Sequence, residues 1–507
     1  MRNVFSIPIL LNARSRLERF APVQLKRRAR ARRRSSVFSR RGSARSLHNW
    51  RGIPFVLVAL ALSLFAYPSR AAAEPPITPN SELTLQRATD IALKLHPRRK
   101  QSESEVGVAQ ARVGEANANL LPQAYGLGEY LRSTTNGIGN TVWLNEGLFP
   151  RISGQNHNQP NGDFSQSFSS HNNWATGVSV EQFLLDFGKL RGLVDEQRAD
   201  RDAAEARLKL TDLDLIYQVA QRFYGLLAAE QIVHVYAEAI VQRKAHLHQA
   251  QVMVQADLRP GIDVSVTQAD LSRAEMNAIQ ARNGADIAKV ALDAAMGLAG
   301  EAPPYHAVGD LTYEPVTATL DNLQATALRL RPDLKALLDE ARAAGAQIRE
   351  AKSDYFPTAN AQAGYIAMST GLPAANNYYA GLVVTWPLFN GFRTEQQVAE
   401  AREHQRAAGY AIADLRQRVI EEVHTTFLNW QASIAVIKKA EQTLNASREE
   451  LHLADERYKQ GLSSVVELDD AQRRFTEDSA AYVTALYDYS AAKAAVGRAS
   501  GESLNAM

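Results

Sequence analysis

The sequence predicts a mainly α-helical chain with a membrane β-barrel portion, built as two tandem helix–strand–strand–helix repeats. Three observations support this fold class. The chain repeats itself, each copy contains short segments that alternate between polar and apolar residues, and each copy contains a very long segment without proline. We therefore expect a long α-helical coiled-coil barrel plus four β-strands per protomer, and a twelve-stranded barrel when three protomers assemble.

The internal repeat is visible in matching sequence segments. Ala92-Leu-Lys-Leu-His-Pro97 recurs as Ala327-Leu-Arg-Leu-Arg-Pro332, a shift of 235 positions. After an insertion in the first copy, the register resumes at a shift of 204 positions, which pairs Gly297 with Gly501. A duplication of this length makes each copy one structural unit. We assign repeat 1 to residues 83–300 and repeat 2 to residues 320–502.

The first 73 residues have the layout of an export signal. They contain sixteen of the chain's 57 Lys and Arg residues but only one of its 54 Asp and Glu residues. An apolar run from Ile53 to Tyr67 follows the basic stretch and precedes Ala71-Ala-Ala73. At about 15 residues this run is shorter than the ~20 residues that a membrane-spanning helix needs. Residues 1–73 are therefore predicted to be a basic N-terminal region and signal peptide, and not a nucleic-acid-binding segment.

Each copy begins with apolar residues at helical spacing. These segments run from Leu85 to about Leu120 and from Leu323 to about Tyr355. Pro97 and Pro332 predict a break near the start of each segment, because proline disrupts a helix interior. A further proline in each copy then ends the helical pattern, since the residue before proline avoids the α region.

Amphipathic strands follow these helices. In the second copy Asn360 and Gln362 lie on one side of a strand, while Ala361 and Tyr365 lie on the other. Strands of about ten residues with one apolar face are what a transmembrane barrel requires, although a half-buried soluble sheet shows the same alternation. Aromatic residues at the strand ends favour the membrane. Because four strands cannot close a barrel in lipid, the chain is predicted to form a homotrimer with twelve strands.

The strands end in turns that lead into the long helices. Leu185-Asp-Phe-Gly188 and Leu388-Phe-Asn-Gly391 are rich in turn residues, so Gly188 and Gly391 are predicted to mark strand-to-helix turns. Residues 189–255 and 393–459 contain no proline. Each segment can therefore run as one helix of about 100 Å. Each then reaches a second turn region, after which a shorter helix returns and packs beside the long one.

In their duplicated order these segments resemble the TolC-type outer-membrane efflux family. The resemblance rests on the two strand-to-helix turns, on Tyr458-x-x-Gly461 and on Val466-Glu-Leu-Asp-Asp-Ala471, and it covers about Leu83 to Gly501. It implies a homotrimer in outer-membrane lipid, continued by a helical tunnel across the periplasm. It further implies a channel or exit duct of a tripartite efflux or type I secretion system. The expected partners are a periplasmic adaptor (membrane fusion) protein and an inner-membrane pump of RND, ABC or MFS type.

The resemblance also implies a narrow entrance where the long helices turn. Glu467 and Asp470 match two acidic positions that form a periplasmic entrance ring in a trimer, and concentrated carboxylates attract cations. Tyr458 and Asp263 match a pair that links the two helical hairpins as a gate. The sequence departs from the family pattern at Ser463, where an arginine forms a second link. A simpler alternative is that the acids only begin the returning helices, where the helix dipole favours them.

No pattern in the sequence indicates catalysis or a resident cofactor. The chain has no cysteine, and it contains no zinc-protease, phosphate-loop or dinucleotide motif. The Glu-x-x-His patterns at Glu421 and Glu449 lie on one predicted helix, whereas di-iron sites need facing helices. We therefore predict neither an enzyme nor a metal site. The alternative to an export duct is a periplasmic coiled-coil scaffold or adaptor without a membrane barrel.

Overall fold

The computed structural model describes residues 80–134, 170–298, 302–314, 318–369 and 375–502. All of them belong to the unit that spans Glu74–Met507. The predicted signal peptide, residues 1–73, lies outside the described residues.

The elements of the first copy recur in the same order in the second copy. The first copy runs through β1 (Ser81–Leu83), α1 (Leu85–Leu95), α2 (Pro97–Ala118), β2 (Gln123–Thr134), β3 (Ser170–Leu185), α3 (Lys189–Gln255) and α4 (Ile262–Met296). The second copy runs through β4 (Tyr305–Ala307), α5 (Leu320–Leu330), α6 (Pro332–Ser353), β5 (Thr358–Ser369), β6 (Ala375–Thr385), α7 (Arg393–Lys459) and α8 (Val465–Ser500). The predicted fold class, mainly helical with two helix–strand–strand–helix repeats, is confirmed.

The helices begin and end at the proline and glycine signals in the sequence. The long helices α3 and α7 each contain 67 residues and have the predicted bounds. Pro97 and Pro332 occupy the first positions of α2 and α6. Proline is favoured there because its fixed φ suits a helix start and its missing N–H would have no partner in that turn. Among the described residues, no helix combines the length and the hydropathy needed to cross a membrane.

Four strands form one antiparallel sheet in the order β2–β3–β5–β6. Its polar face carries Gln362 and Asn360, and the Nδ2 atom of Asn360 donates to Oε1 of Glu181 on the neighbouring strand at 3.1 Å. Its opposite face is apolar, with Val178 and Leu382 55% and 61% exposed. Such a face is unfavourable in water and suits contact with lipid. β2 and β6 are the sheet edges, and closure of three sheets into a twelve-stranded barrel stays a prediction.

The main hydrophobic core lies halfway along the long helices, where the two copies pack together. Val219 and Phe223 of α3 are buried there with Val423 and Phe427 of α7, and the 204-residue shift relates the two pairs. Leu83 of β1, which pairs in parallel with β4, belongs to the same core. Equivalent faces of the two repeats therefore bury each other, as expected for units that cannot bury their apolar faces alone.

Gly297 and Gly501 end α4 and α8 in equivalent ways. Their φ angles are 79° and 77°, in the left-handed region that glycine adopts without a steric penalty. A Cβ on Gly297 would lie 2.8 Å from the Cα of His96, and one on Gly501 would lie 3.2 Å from the backbone nitrogen of Arg331. His96 and Arg331 are themselves related by the 235-residue shift, so each glycine permits the same close approach in its own repeat.

Gly297→Ala is expected to destabilise the protein by about 2 kcal/mol or more. An alanine in the left-handed region alone costs about 1–2 kcal/mol, and its Cβ would also overlap the backbone of His96. Thermal denaturation of the detergent-solubilised protein measures the loss. Gly284→Ala is the matched control, because Gly284 is an exposed residue inside α4 with open space around it. The control variant should increase the free energy of unfolding by about 0.5–1 kcal/mol, because alanine is favoured over glycine inside a helix. Equal losses of stability in both variants would contradict a specific role for the left-handed backbone at Gly297.

Candidate functional site

The residues predicted from the sequence lie at opposite ends of the long helices. Gly188 and Gly391 stand at the start of α3 and α7, with positive φ angles of 95° and 71°. The other end holds two hairpin turns. The first turn, residues 256–261, joins α3 to α4, and the second turn, residues 460–464, joins α7 to α8. At 1.5 Å per residue, the two ends of each long helix are about 100 Å apart.

Side chains near Gly188 and Gly391 hold the strand-to-helix turns. Asp186 accepts hydrogen bonds from the backbone nitrogens of Gly188 at 3.0 Å and Leu190 at 2.8 Å. These bonds satisfy N–H groups at the start of α3 that have no partner within the helix. In the second copy the Nδ2 atom of Asn390 donates to Oγ1 of Thr394 at 2.7 Å. Gly188 and Gly391 therefore lie at turns between a strand and a long helix. A functional role for these two glycines stays a prediction.

The two hairpin turns close the long helices with the same backbone motif. Asp257 and Gly461, which are equivalent at the 204-residue shift, have positive φ angles of 57° and 76°. The next residues, Leu258 and Leu462, donate from their backbone nitrogens to the carbonyl five residues earlier, at 2.9 Å and 2.8 Å. This pattern is a Schellman-type helix end. The repeat is thus preserved down to single hydrogen bonds.

Tyr458 and Asp263, the predicted gate link, are both buried beside the turns. Tyr458 is 0% exposed and Asp263 is 6% exposed. Burial raises the pKa of Tyr458, and the negative charge of Asp263 raises it further. Within the described residues, neither Oη of Tyr458 nor Oδ2 of Asp263 has a hydrogen-bond partner. The structure brings the two side chains close together without a hydrogen bond between them, and their role as a gate link stays a prediction.

Arg259 of the first turn makes a contact between the turns that the sequence analysis missed. Its Nη2 atom donates to the carbonyl oxygen of Ser463 at 2.8 Å, and its Cζ atom lies 4.9 Å from the centre of the Tyr458 ring. A charged donor forms a stronger hydrogen bond than a neutral one, and a guanidinium over an aromatic ring adds cation–π attraction. Positions 259 and 463 are equivalent at the 204-residue shift, which was the signal that could have identified this pair.

Glu467 and Asp470 lie on the exposed side of the first turns of α8. The Oγ atom of Ser464 accepts from the backbone nitrogen of Glu467 at 3.2 Å and caps this helix. The side chains of Glu467 and Asp470 are 44% and 42% exposed, and they pair with the exposed side chains of Arg457 and Arg473. Exposed ion pairs contribute little energy. Both carboxylates therefore remain accessible to cations from solution.

Asp469, between these two acids, points between the hairpins. It pairs with Arg243 of α3, and Nη1 of Arg243 also lies 3.8 Å from Oδ2 of Asp270 in α4. Burial raises the pKa of Asp270, and the negative charge of Asp469 raises it further. Asp469 therefore joins the second hairpin to the first and does not add to the exposed acids.

A small cavity lies beside this ion pair. Its volume is about 10 Å³, which is room for about one water molecule. Its lining includes His246 and Gln472, whose Nδ1 and Nε2 atoms are buried without a hydrogen-bond partner in the described part of the chain. Burial lowers the pKa of His246, against the effect of Asp455 at 3.8 Å. The cavity suits a single water molecule and is too small for a larger ligand.

The arrangement at the turns can attract cations and can hold the hairpins together. Over the described residues, no three His, Asp or Glu side chains are grouped so that they could hold a metal ion. The Glu-x-x-His patterns at Glu421 and Glu449 both lie on α7. They are therefore on one helix and not on facing helices, as the sequence predicted.

Comparison with known sequences extends over most of the described chain. The family model described as outer membrane efflux protein matches residues 88–298 and 323–502. The cation efflux system protein CusC of Escherichia coli (strain K12) is 23% identical over 341 residues, covering 64% of this chain and 72% of CusC. The outer membrane protein TolC of Salmonella enteritidis is 23% identical over 461 residues, covering 86% of this chain and 83% of TolC.

Solved structures share the fold. A crystal structure of CusC aligns with a TM-score of 0.68 at 16% identity, covering 86% of this chain and 99% of that one. The open state of the MtrE outer membrane channel of Neisseria gonorrhoeae aligns with a TM-score of 0.66 at 18% identity, covering 83% of this chain and 89% of that one. At these identities the likeness shows a common architecture of long helical hairpins and strands.

Proposed function

Because the chain belongs to the outer membrane efflux protein family, we propose that it acts as a homotrimer whose entrance is formed by the two hairpin turns of each protomer. The protein is an outer-membrane exit duct of a tripartite efflux system. Channels of the TolC type are trimeric and work with a periplasmic adaptor and an inner-membrane pump. The family consists of channels and not of enzymes.

One observation supports this function above the others. A sheet with one apolar face and one polar face is joined, at both strand-to-helix turns, to helices of 67 residues. The apolar face suits outer-membrane lipid and the polar face suits a water-filled interior. The long helices would then continue the duct into the periplasm. A soluble coiled-coil scaffold would have no use for an exposed apolar sheet face.

The proposal also covers the export signal, the two repeats and the class of pump. Residues 1–73 are proposed to be the export signal that brings the chain to the outer membrane, and residues 83–300 and 320–502 are proposed to be the two efflux repeats. The pump is proposed to be of the RND, ABC or MFS type. The cargo would pass through the duct without chemical change.

The exposed carboxylates of Glu467 and Asp470 are proposed to line the periplasmic entrance. Both lie beside the second turn and face solvent in the single chain. In a trimer the two positions would occur three times each, so cations would meet a concentrated negative charge before they enter. Tyr458 and Asp263, buried behind these acids, are proposed to control the separation of the hairpins.

Membrane fractionation of cells that produce the full chain with an affinity tag tests the function. We expect a heat-modifiable trimer in the outer-membrane fraction. Chemical crosslinking followed by affinity capture should recover a periplasmic adaptor with its pump, which would identify the pump class. A soluble periplasmic protein that captures no inner-membrane pump would contradict the duct and support the scaffold alternative.

A further inference from the structure

Two helical surfaces are exposed at positions whose equivalents in the other repeat are buried. Ala206 of α3 is 2% exposed, whereas Tyr410, its equivalent in α7 at the 204-residue shift, is 75% exposed. Ala343 of α6 is 5% exposed, whereas Val108, its equivalent in α2 at the 235-residue shift, is 53% exposed. Apolar side chains exposed at such positions indicate surfaces of α7 and α2 that lack a partner in the single chain.

Within the chain, the corresponding surfaces of α3 and α6 cover each other. The Nζ atom of Lys189 donates to Oδ1 of Asp354 at 2.9 Å, and the Nε2 atom of Gln347 donates to Oε1 of Glu196 at 2.8 Å. Because α3 belongs to the first repeat and α6 to the second, this contact joins the two repeats.

The two shifts hold in three dimensions as well as in the sequence. In the first repeat Gln123 of β2 lies opposite Glu181 of β3, and in the second repeat Thr358 of β5 lies opposite Thr385 of β6. The second pair is the first pair moved by 235 and 204 positions. Equivalent positions can therefore transfer a contact from one interface to another.

Applied to the contact between α3 and α6, the shifts place opposite charges together. Glu196 becomes Glu400 of α7, and Gln347 becomes Arg112 of α2. Arg112 is exposed, and the side chain of Glu400 is 71% exposed, with the exposed His404 at 3.8 Å. Glu400 also lines a cleft of about 280 Å³ between α6 and α7. Among the lining residues, all of which the structure describes, none is Lys or Arg.

We propose that Arg112 of a neighbouring protomer enters this cleft and pairs with Glu400. In this arrangement α2 of one chain packs on α7 of the next, as α6 packs on α3 within one chain. The planar guanidinium matches a carboxylate in shape and charge. The inference rests on the proposed function, since the proposed homotrimer supplies the neighbouring protomer, and three such pairs would form in it.

The strands support this arrangement independently of the helices. Within the chain β3 and β5 pair antiparallel, with Val180 opposite Ala363. The same two shifts place Val384 of β6 opposite Gly128 of β2 in the next protomer. Both positions lie on the apolar face of the sheet. A slip of one residue would set the apolar face of one strand beside the polar face of the other, so this register keeps both faces continuous across the protomers.

Disulfide crosslinking of the purified full-length protein tests the arrangement, because the chain has no cysteine of its own. Gly128→Cys with Val384→Cys is expected to give covalent trimers on non-reducing gels after oxidation. Opposite residues of an antiparallel pair have Cα atoms about 4.5–5.5 Å apart, which suits a disulfide. The link cannot form within one chain, since β2 and β6 are opposite edges of the sheet, about 14 Å apart across three strand spacings.

Gly126→Cys with Val384→Cys is the matched control. Gly126 lies on the same face of β2, and a Cβ at either glycine would meet open space. Its diagonal separation from Val384 would be about 7–8 Å, too long for a disulfide. Much less covalent trimer is therefore expected. More covalent trimer in the control, or none in either variant of a protein that still forms heat-modifiable trimers, would overturn the arrangement.

Charge exchange tests the ion pair itself. Arg112→Glu or Glu400→Arg alone would bring like charges together and should lower the temperature at which the trimer dissociates on gels by a few degrees, or prevent assembly. The double variant Arg112→Glu with Glu400→Arg restores opposite charges and should recover the wild-type temperature. Glu395→Arg is the control on the same helix, because its equivalent in α3, Arg191, stays exposed beside α6.

The outcomes separate this inference from the function. No loss in either single variant, an equal loss in Glu395→Arg, or no recovery in the double variant would overturn the pair of Arg112 with Glu400 and leave the duct intact. Recovery in the double variant supports the pair even where the single variants fail to assemble. A wild-type chain that forms no trimer would end the proposed homotrimer and this inference together.

Discussion

Replacing Glu467 and Asp470 together with Ala is expected to weaken the block of single-channel current by hexamminecobalt(III) about tenfold or more. Two unit charges 4 Å apart attract by about 1 kcal/mol in water, and a trivalent ion multiplies that attraction. A loss of about 1.4 kcal/mol already corresponds to tenfold in affinity. Both side chains are exposed beside the second turn, and a trimer would contain three copies of each.

The concentration of the trivalent ion that halves the current measures this effect. Recordings belong at low ionic strength, because salt screens exposed charges over about 10 Å at 0.1 M. Glu275→Ala with Asp286→Ala is the matched control, since it removes the same charge at exposed positions of α4 away from the turn. An unchanged half-blocking concentration in the Glu467 and Asp470 variant would show that these acids do not line the constriction. Equal changes in both variants would point to a general effect of charge.

Arg331→Met is expected to destabilise the protein by about 1–3 kcal/mol, because it removes a buried cation that donates hydrogen bonds to two acids and a carbonyl. The Arg331 side chain is 6% exposed and lies before α6. Its Nη2 atom is 2.7 Å from Oδ2 of Asp333, and its Nη1 atom is 2.6 Å from Oε2 of Glu422. Nη1 also donates to the carbonyl oxygen of Ala499 at 3.2 Å. Its removal would take this donor from the Ala499 carbonyl and this cation from both acids, although Asp333 would keep the backbone N–H of Leu334 and Glu422 would keep Arg498.

Chemical denaturation of the detergent-solubilised protein measures this loss. Arg329→Met is the control, because Arg329 is an exposed arginine in the last turn of α5, two residues away. Surface substitutions of this kind usually change stability by less than about 0.5 kcal/mol. A loss in Arg331→Met no larger than in the control would show that the network does not stabilise the junction between α8 and the start of α6.

The starts of the long helices α3 and α7 and of the shorter helices α2 and α6 could be predicted because their signals are local. Pro97 and Pro332 begin helices through their own fixed φ. Gly188 and Gly391 provide positive φ angles where the strands turn into α3 and α7. Each signal acts on the backbone of one residue and its neighbours. The starts of these elements are therefore determined by residues close to them in the sequence.

The orientation of the acids near the second turn could not be predicted in the same way. Glu467, Asp469 and Asp470 lie within four residues, and only the family resemblance distinguished Glu467 and Asp470 from Asp469. In the structure Asp469 faces Arg243, which belongs to the other hairpin and lies 226 positions away. Glu467 and Asp470 face solvent instead. The neighbour that packs on one side of α8 decides which acid is buried.

The fold class, the duplication and the family follow from residue patterns alone, because periodicity and turn residues specify secondary structure locally. The contacts at the turns depend on how two hairpins from different repeats pack together. Arg259 reaches the backbone of Ser463 across 204 positions, and no local rule links these residues. Tertiary packing decided that contact, since a hydrogen bond between distant segments exists only after the helices that carry them have been brought side by side.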